Sequence, residues 1–203
     1  MDRVNVKLTV FFEDPFWVGA VLRTENGKLS VCRIVFGTEP KDYEVFSMSY
    51  QNFKEAMELA PECKFYTTAG GKSEDEIRKA EELLGVKFSK QCREFYAEYG
   101  YLSFYGNEIF GIDPEDDSGE LEGNSVAYAL NDRAEYGLPD CWIPVCNFDD
   151  GYMAYLDYSS LNKDGEPCVI VAFFNGSEYQ VEETIAEYFG EFVFQLVKQQ
   201  LEE

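Results

Sequence analysis

The chain contains no histidine. That absence removes the Ser-His and Cys-His routes of nucleophilic catalysis and leaves any enzyme hypothesis with carboxylate, lysine, tyrosine or bound-metal chemistry. Cysteine is present but unclustered. Cys32, Cys63, Cys92, Cys141, Cys146 and Cys168 form no CxxC pair, so a structural zinc is not expected. No run of about 18 apolar residues occurs, and none is therefore expected to cross a membrane as a helix. Met1-Asp2-Arg3-Val4-Asn5 lacks the basic region and apolar run of a secretory signal. The expectation is a cytoplasmic protein with reduced thiols, and no cofactor or metal is called for.

Positive charge is scarce too. Seventeen Lys and Arg stand against 39 Asp and Glu, a net charge of −22. Such a surface repels nucleic acid and anionic membrane and favours basic partners or cations. The imbalance is local: residues 1–70 carry ten acids and eight bases, whereas residues 71–203 carry 29 acids and nine bases. Between residues 99 and 197 there are twenty acids and only two bases, Arg133 and Lys163. The acidity does not imply disorder, because 17 Phe and 14 Tyr in a chain that is 45% hydrophobic supply a core. The charge step at Ala69-Gly70-Gly71 divides the 203 residues into an N-terminal module, 1–68, and a larger domain, 72–203.

Val4, Val6, Leu8, Val10 and Phe12 alternate with mostly polar neighbours, the period of a strand. Glu13-Asp14-Pro15 turns the chain, residues 16–23 return, and Asn26-Gly27 signals a tight hairpin before a third strand over 28–36. An antiparallel β meander is predicted, followed by a short helix near 52–59 and a strand near 64–67. Ser73 and Glu76 have capping-box spacing and open a helix that Gly85 closes. A second helix runs from about 89 to 99, with Cys92, Phe95, Tyr96 and Tyr99 on one face. Strand-like segments follow near 101–112, 141–146, 152–157 and 168–174. A helix is expected near 125–136 and a closing helix over about 182–200, turning Ile185, Phe189, Val193 and Leu196 inward. The fold class is α+β, with an antiparallel sheet flanked by helices.

The run SEDEIRKAEELLGVKFSKQCREFYAEYG carries Ala80-Glu81, Leu84-Gly85, Phe95 and Tyr99-Gly100 in the pattern of an opening helix pair. Together with GNEIFGI at 106–112, IPVCNFDDGYMAYLDYSS at 143–160 and the closing amphipathic helix, it resembles the SUKH (SMI1/KNR4) superfamily over about 72–200. Phe88-Ser89 stands where members often have Leu-Pro, and a Ser cap does the same work. The resemblance implies a protein-binding domain without catalysis. Many bacterial members are immunity proteins that bind and block a toxin, often a nuclease, and fungal relatives are regulatory scaffolds. Residues 7–46 resemble the YjdF-type family of unknown function through Phe16-Trp17-Val18-Gly19, Gly27-Lys28-Leu29 and the stretch containing Glu39, Pro40, Lys41 and Asp42. Members usually continue into a basic helical tail, where this chain has the acidic domain instead.

Residues 113–122 pack six acids into ten positions: Asp113, Glu115, Asp116, Asp117, Glu120 and Glu122. As a calcium loop the spacing fails, with Ser118 where glycine is needed and Asn124 where a bidentate Glu is needed. The better reading is an acidic loop that meets a basic partner such as a toxin. Asp149 and Asp150, in an exposed Asp-Asp-Gly turn, join that predicted acidic face. Trp142 is open to two readings, interface hot spot or core. On the N-terminal sheet, Trp17 and the neighbourhood of Phe16 could line a small-molecule site, with core packing the better reading. An immunity-type inhibitor is the leading expectation. A ligand-sensing or regulatory scaffold using the N-terminal module is the alternative, and a carboxylate-dependent enzyme is a distant third.

Overall fold

Strand propensity and turn chemistry shape the first part of the chain. β1 (Asn5–Glu13), β2 (Phe16–Glu25) and β3 (Lys28–Gly37) form an antiparallel sheet in that order. Glu13 pairs with Phe16 and Glu25 with Lys28, so each connection is two residues long. The computed structural model describes residues 5–13, 16–25, 28–37, 55, 58–60, 66–116, 121, 123–148 and 151–201. The chain divides into two units, residues 1–47 and 48–203.

The second unit starts with residues 55, 58 and 59 in helical conformation and with β4 (Thr67–Thr68), which pairs with β5 (Leu102–Phe104). α1 (Glu74–Leu84) has the capping box read from the sequence: Glu76 N–H donates to Ser73 Oγ (3.3 Å), and Ser73 N–H donates to Glu76 Oε2 (2.7 Å). Gly85 ends it at φ 70°. α2 (Lys90–Glu98) is capped by Ser89, whose Oγ accepts from Cys92 N–H (3.5 Å). Gly100 follows at φ 68°, against the carbonyl of Gly70, where a Cβ has no room.

β5 and β6 (Asn107–Ile109) make a hairpin where one strand-like segment was expected. Tyr105 at φ 51° and Gly106 at φ 86° form its two-residue turn. Both residues are left-handed, as a type I′ turn requires, and Tyr in the first position hid the signal. α3 (Ser125–Tyr136) lies between Asn124 and Gly137, as read. β7 (Trp142–Asn147), β8 (Tyr152–Leu161), β9 (Pro167–Phe174) and β10 (Tyr179–Ala186) form an antiparallel sheet in the order β10-β9-β8-β7.

The closing helix expected over about 182–200 is corrected. Its first part is β10, and the helix, α4, spans Phe189–Leu201. Val181, Thr184 and Ile185 are β-branched and suit a strand beside β9. The spacing of Ile185 and Phe189 had mimicked a helical face across the strand-helix junction. Phe189, Val193 and Val197 are buried, whereas Leu196 is only partly so.

Residues 153–156 of β8 and 169–172 of β9 are buried in succession, so helices cover both faces of the sheet there. α3 lies on the face that carries Phe174 and Tyr179: Tyr179 Oη donates to Asp132 (2.7 Å). α2 meets α4 through the Phe95 and Phe189 rings (5.3 Å) and through Gly190 N–H donating to Gln91 Oε1 (2.7 Å). No helix among the described residues is long and apolar enough to cross a membrane.

Candidate partner-binding surface

The acidic loop is held at both ends by one side chain. Asn124 Oδ1 caps α3 by accepting from Val126 N–H (3.1 Å) and Ala127 N–H (3.5 Å), and it also accepts from Asp113 N–H (3.1 Å). Its Nδ2 donates to Asp113 O (3.0 Å). Gly111 braces the same point, donating to Gly123 O (2.8 Å) and accepting from Ser125 N–H (2.9 Å). Asp113 and Asn124, on either side of the acidic run, are therefore held to each other. Asn124 is committed to backbone amides, which sets it aside from the calcium-loop position it occupies in sequence.

Two of the loop's acids face lysines that the sequence reading did not place there. Asp113 Oδ2 lies 3.6 Å from Lys72 Nζ, which is also 3.6 Å from Glu76. Glu115 pairs with Lys79. Lys72 precedes the N-cap Ser73 of α1, and Lys79 lies within the helix. Six of the nine bases beyond residue 70 lie within 72–93, so α1 and α2 form the less acidic side of the unit. A cavity of about 410 Å³ opens beside the loop, lined by Lys72, Tyr101, Glu108, Asp113, Asp116 and Asn124 among others. Asp117, Glu120 and Glu122 lie outside the described residues, as do Asp149 and Asp150. The hairpin carrying the latter two closes with Phe148 N–H donating to Tyr152 O (3.0 Å) and Gly151 at φ 85°.

Of the two readings of Trp142, the structure places it in the core. It is 9% exposed and packs against Tyr155 (5.7 Å) and Tyr179 (6.4 Å). Phe16, Trp17 and Gly19 lie in β2, opposite Glu13, Phe12 and Val10 of β1, and a register shift falls between Trp17 and Val18. Glu39, Pro40, Lys41 and Asp42 lie outside the described residues. Cys92 and Cys146 are buried, and burial raises the Cys92 thiol to about 12, so it is an inert core group. Among the described residues no three acids or cysteines are grouped to hold a metal.

The burial of two glutamates was not anticipated from the sequence. Glu81 is 4% exposed and ties α1 to α2, accepting from Phe88 N–H (3.0 Å), Arg93 (2.5 Å) and Lys87 (2.9 Å). Burial alone would raise its pKa, but those three donors together bring it below the ordinary value. Glu166 is buried at the start of α2, where Oε1 accepts from Gln91 N–H (3.2 Å) and Oε2 has no hydrogen-bond partner. Burial, with Glu94 and Asp164 nearby, raises its pKa against the opposing bonds from Ser89 and Gln91.

A further group of exposed acids lies on α3, on β10 and in their flanking residues. Glu135 on α3, Asp140, and Glu178, Glu182, Glu183 and Glu187 on and around β10 are exposed. Arg133, the base on α3, donates to Leu84 O (3.0 Å) and Asp140 O (2.6 Å), and its Nε lies 3.7 Å from Asp140 Oδ1.

A family model described as SMI1-KNR4 cell-wall (SUKH_6) matches residues 74–193. A model described as a protein of unknown function (DUF2992) matches residues 8–87 and so overlaps the first helix of the second unit. The uncharacterized protein YjdF of Bacillus subtilis (strain 168) is 39% identical over 59 residues. That match covers 29% of this chain and 37% of YjdF, so the chain spans well under half of that relative's length.

Proposed function

The chain belongs to the SMI1-KNR4 cell-wall family, and from that premise we propose that it is a protein-binding module of the immunity type rather than an enzyme. Its partner is a basic protein in the cytoplasm, in the first instance a bacterial toxin such as a nuclease. The acidic surface covers the groove that the toxin uses for phosphates. The observation that carries this reading is the run of twenty acids against two bases between residues 99 and 197. Arg133 is engaged by the carbonyls of Leu84 and Asp140 and by the Asp140 carboxylate. A surface of this kind steers a basic protein to it at rates approaching about 10⁸ M⁻¹s⁻¹ at low salt. The acids at 113–122 and the pair Asp149 and Asp150 belong to this surface, with Asp113 and Glu115 partly answered by Lys72 and Lys79.

The test is co-expression with the products of the genes adjacent to its own. The expected result is rescue of growth from one toxic neighbour and a complex that survives purification at low salt and weakens as salt rises. Absence of both rescue and complex with every neighbour contradicts the reading.

A second reading comes from the separate family match at residues 8–87: the N-terminal sheet binds a small planar ligand and the acidic unit docks a regulatory target. Thermal-shift screening of the full chain against planar aromatic compounds tests it, and a flat response counts against it.

A further inference from the structure

β10 is an edge of its sheet, and residues 180–184 within it are all exposed. At the opposite edge β7 is buried over 142–146, and its Val145 O accepts from Phe110 N–H (2.8 Å). Among the described residues, the backbone of 180–184 makes no hydrogen bond outside its ladder with β9. An edge strand presents a row of N–H and C=O groups, a template for a further strand. β10 contains neither lysine nor proline, two residues that blunt such edges.

The ladder with β9 sorts the side chains of this edge. Tyr179 pairs with Phe174, Val181 with Ala172 and Thr184 with Ile170, so these three share one face. Val181 is 50% exposed there. Gln180 pairs with Phe173 and Glu183 with Val171, on the other face. Alternation adds Glu182 to that second face, and the register shift after Val181 is what brings Glu183 there beside it. The edge is therefore apolar on one face and acidic on the other. No Lys or Arg occurs from residue 164 to residue 197 to offset those acids locally.

Cross-strand neighbours on each face decide what pairs with such an edge. A strand laid along β10 sets alternate side chains beside Gln180, Glu182 and Glu183, where cations are favoured. The intervening side chains lie beside Tyr179 and Val181, where apolar groups are favoured. A second copy of β10 is a poor occupant, because an antiparallel pair brings Glu182 and Glu183 against the same residues of the other chain with no cation among them. We propose that β10 accepts an extended segment of the basic partner as a fifth strand, one in which cationic and apolar side chains alternate. The proposal rests on the protein-binding reading and adds where the partner docks and in what conformation.

The experiment titrates the full chain with the peptide Lys-Val-Lys-Val-Lys-Val-Lys at low salt, by calorimetry and by amide hydrogen exchange read by NMR. Two control peptides keep its charge. One has the block order Lys-Lys-Lys-Lys-Val-Val-Val, and the other is the alternating peptide N-methylated along its backbone, which removes its donors. The alternating peptide binds about 10-fold more tightly than either control and slows exchange at amides within 180–184. Glu182→Lys combined with Glu183→Lys, at two exposed positions, lowers that affinity about 10-fold. The same double variant binds Glu-Val-Glu-Val-Glu-Val-Glu more tightly than the parent chain does, which shows that its edge is still formed. If the three basic peptides bind alike and no amide of 180–184 is protected, strand addition at β10 is wrong and the broader acidic-surface reading stands. If none of them binds at low salt, both fall together.

Discussion

Replacing Glu81 tests how the helix pair at the head of the second unit is held. Glu81→Ala removes the acceptor of the Phe88 amide, a buried donor, and a buried donor left without a partner costs about 1–3 kcal/mol. Arg93 loses its 2.5 Å contact but keeps Glu74, an exposed pair, so that loss adds about 1 kcal/mol. Lys87 is exposed and contributes little. The sum is about 2–4 kcal/mol. Glu81→Gln still presents an oxygen to Phe88 N–H and is expected to cost about half as much. The assay is urea unfolding followed by Trp142 fluorescence in a Trp17→Phe background, which reports on the second unit. Because the folded-state pKa of Glu81 lies below its ordinary value, its carboxylate stabilises the fold above the unfolded pKa. That contribution is lost as pH falls through the folded value, so the gap between wild type and Glu81→Gln narrows in acid. Equal costs for Ala and Gln, or a gap that widens in acid, refute the reasoning.

Glu166 has the opposite sign: its raised pKa favours the protonated folded form, so its contribution is full below the unfolded glutamate pKa and is lost as pH rises through the folded one. Glu166→Gln should therefore be more stable than wild type at pH 8 and differ less at pH 4, by urea midpoint. Gly100→Ala and Gly85→Ala both place alanine at a left-handed φ, but only the former runs into a backbone carbonyl. Gly85→Ala should cost about 1–2 kcal/mol and Gly100→Ala clearly more, measured by the same unfolding assay. Asn124→Ala should cost about 1–2 kcal/mol and speed hydrogen exchange at the amides of Asp113, Val126 and Ala127.

Local chemistry was the legible part of the fold. Ser73 with Glu76, Gly85 and Gly137 mark helix ends through groups a few residues apart, and they fall where read. The β5–β6 turn was hidden because Tyr105 takes a left-handed conformation that few non-glycine residues adopt. β10 was hidden because its exposed, acidic sequence suits a helix surface as well as a sheet edge, and only pairing with β9 decides between them. The site was less legible than the fold. Net charge identified an acidic unit, but the partners of single charges depend on contacts 36 residues apart, as with Lys79 and Glu115. Trp142 illustrates the same limit, since its burial follows from Tyr155 and Tyr179 on other strands.

The most direct test of the central claim is the affinity of the full chain for a toxic gene neighbour, measured by calorimetry across a series of salt concentrations. A protein-binding acidic module gives a stoichiometric complex whose affinity falls steadily with salt, and the toxin's activity is lost in proportion to complex formed. A toxin that remains fully active at saturating concentrations of this protein, with no heat of binding at low salt, contradicts the account.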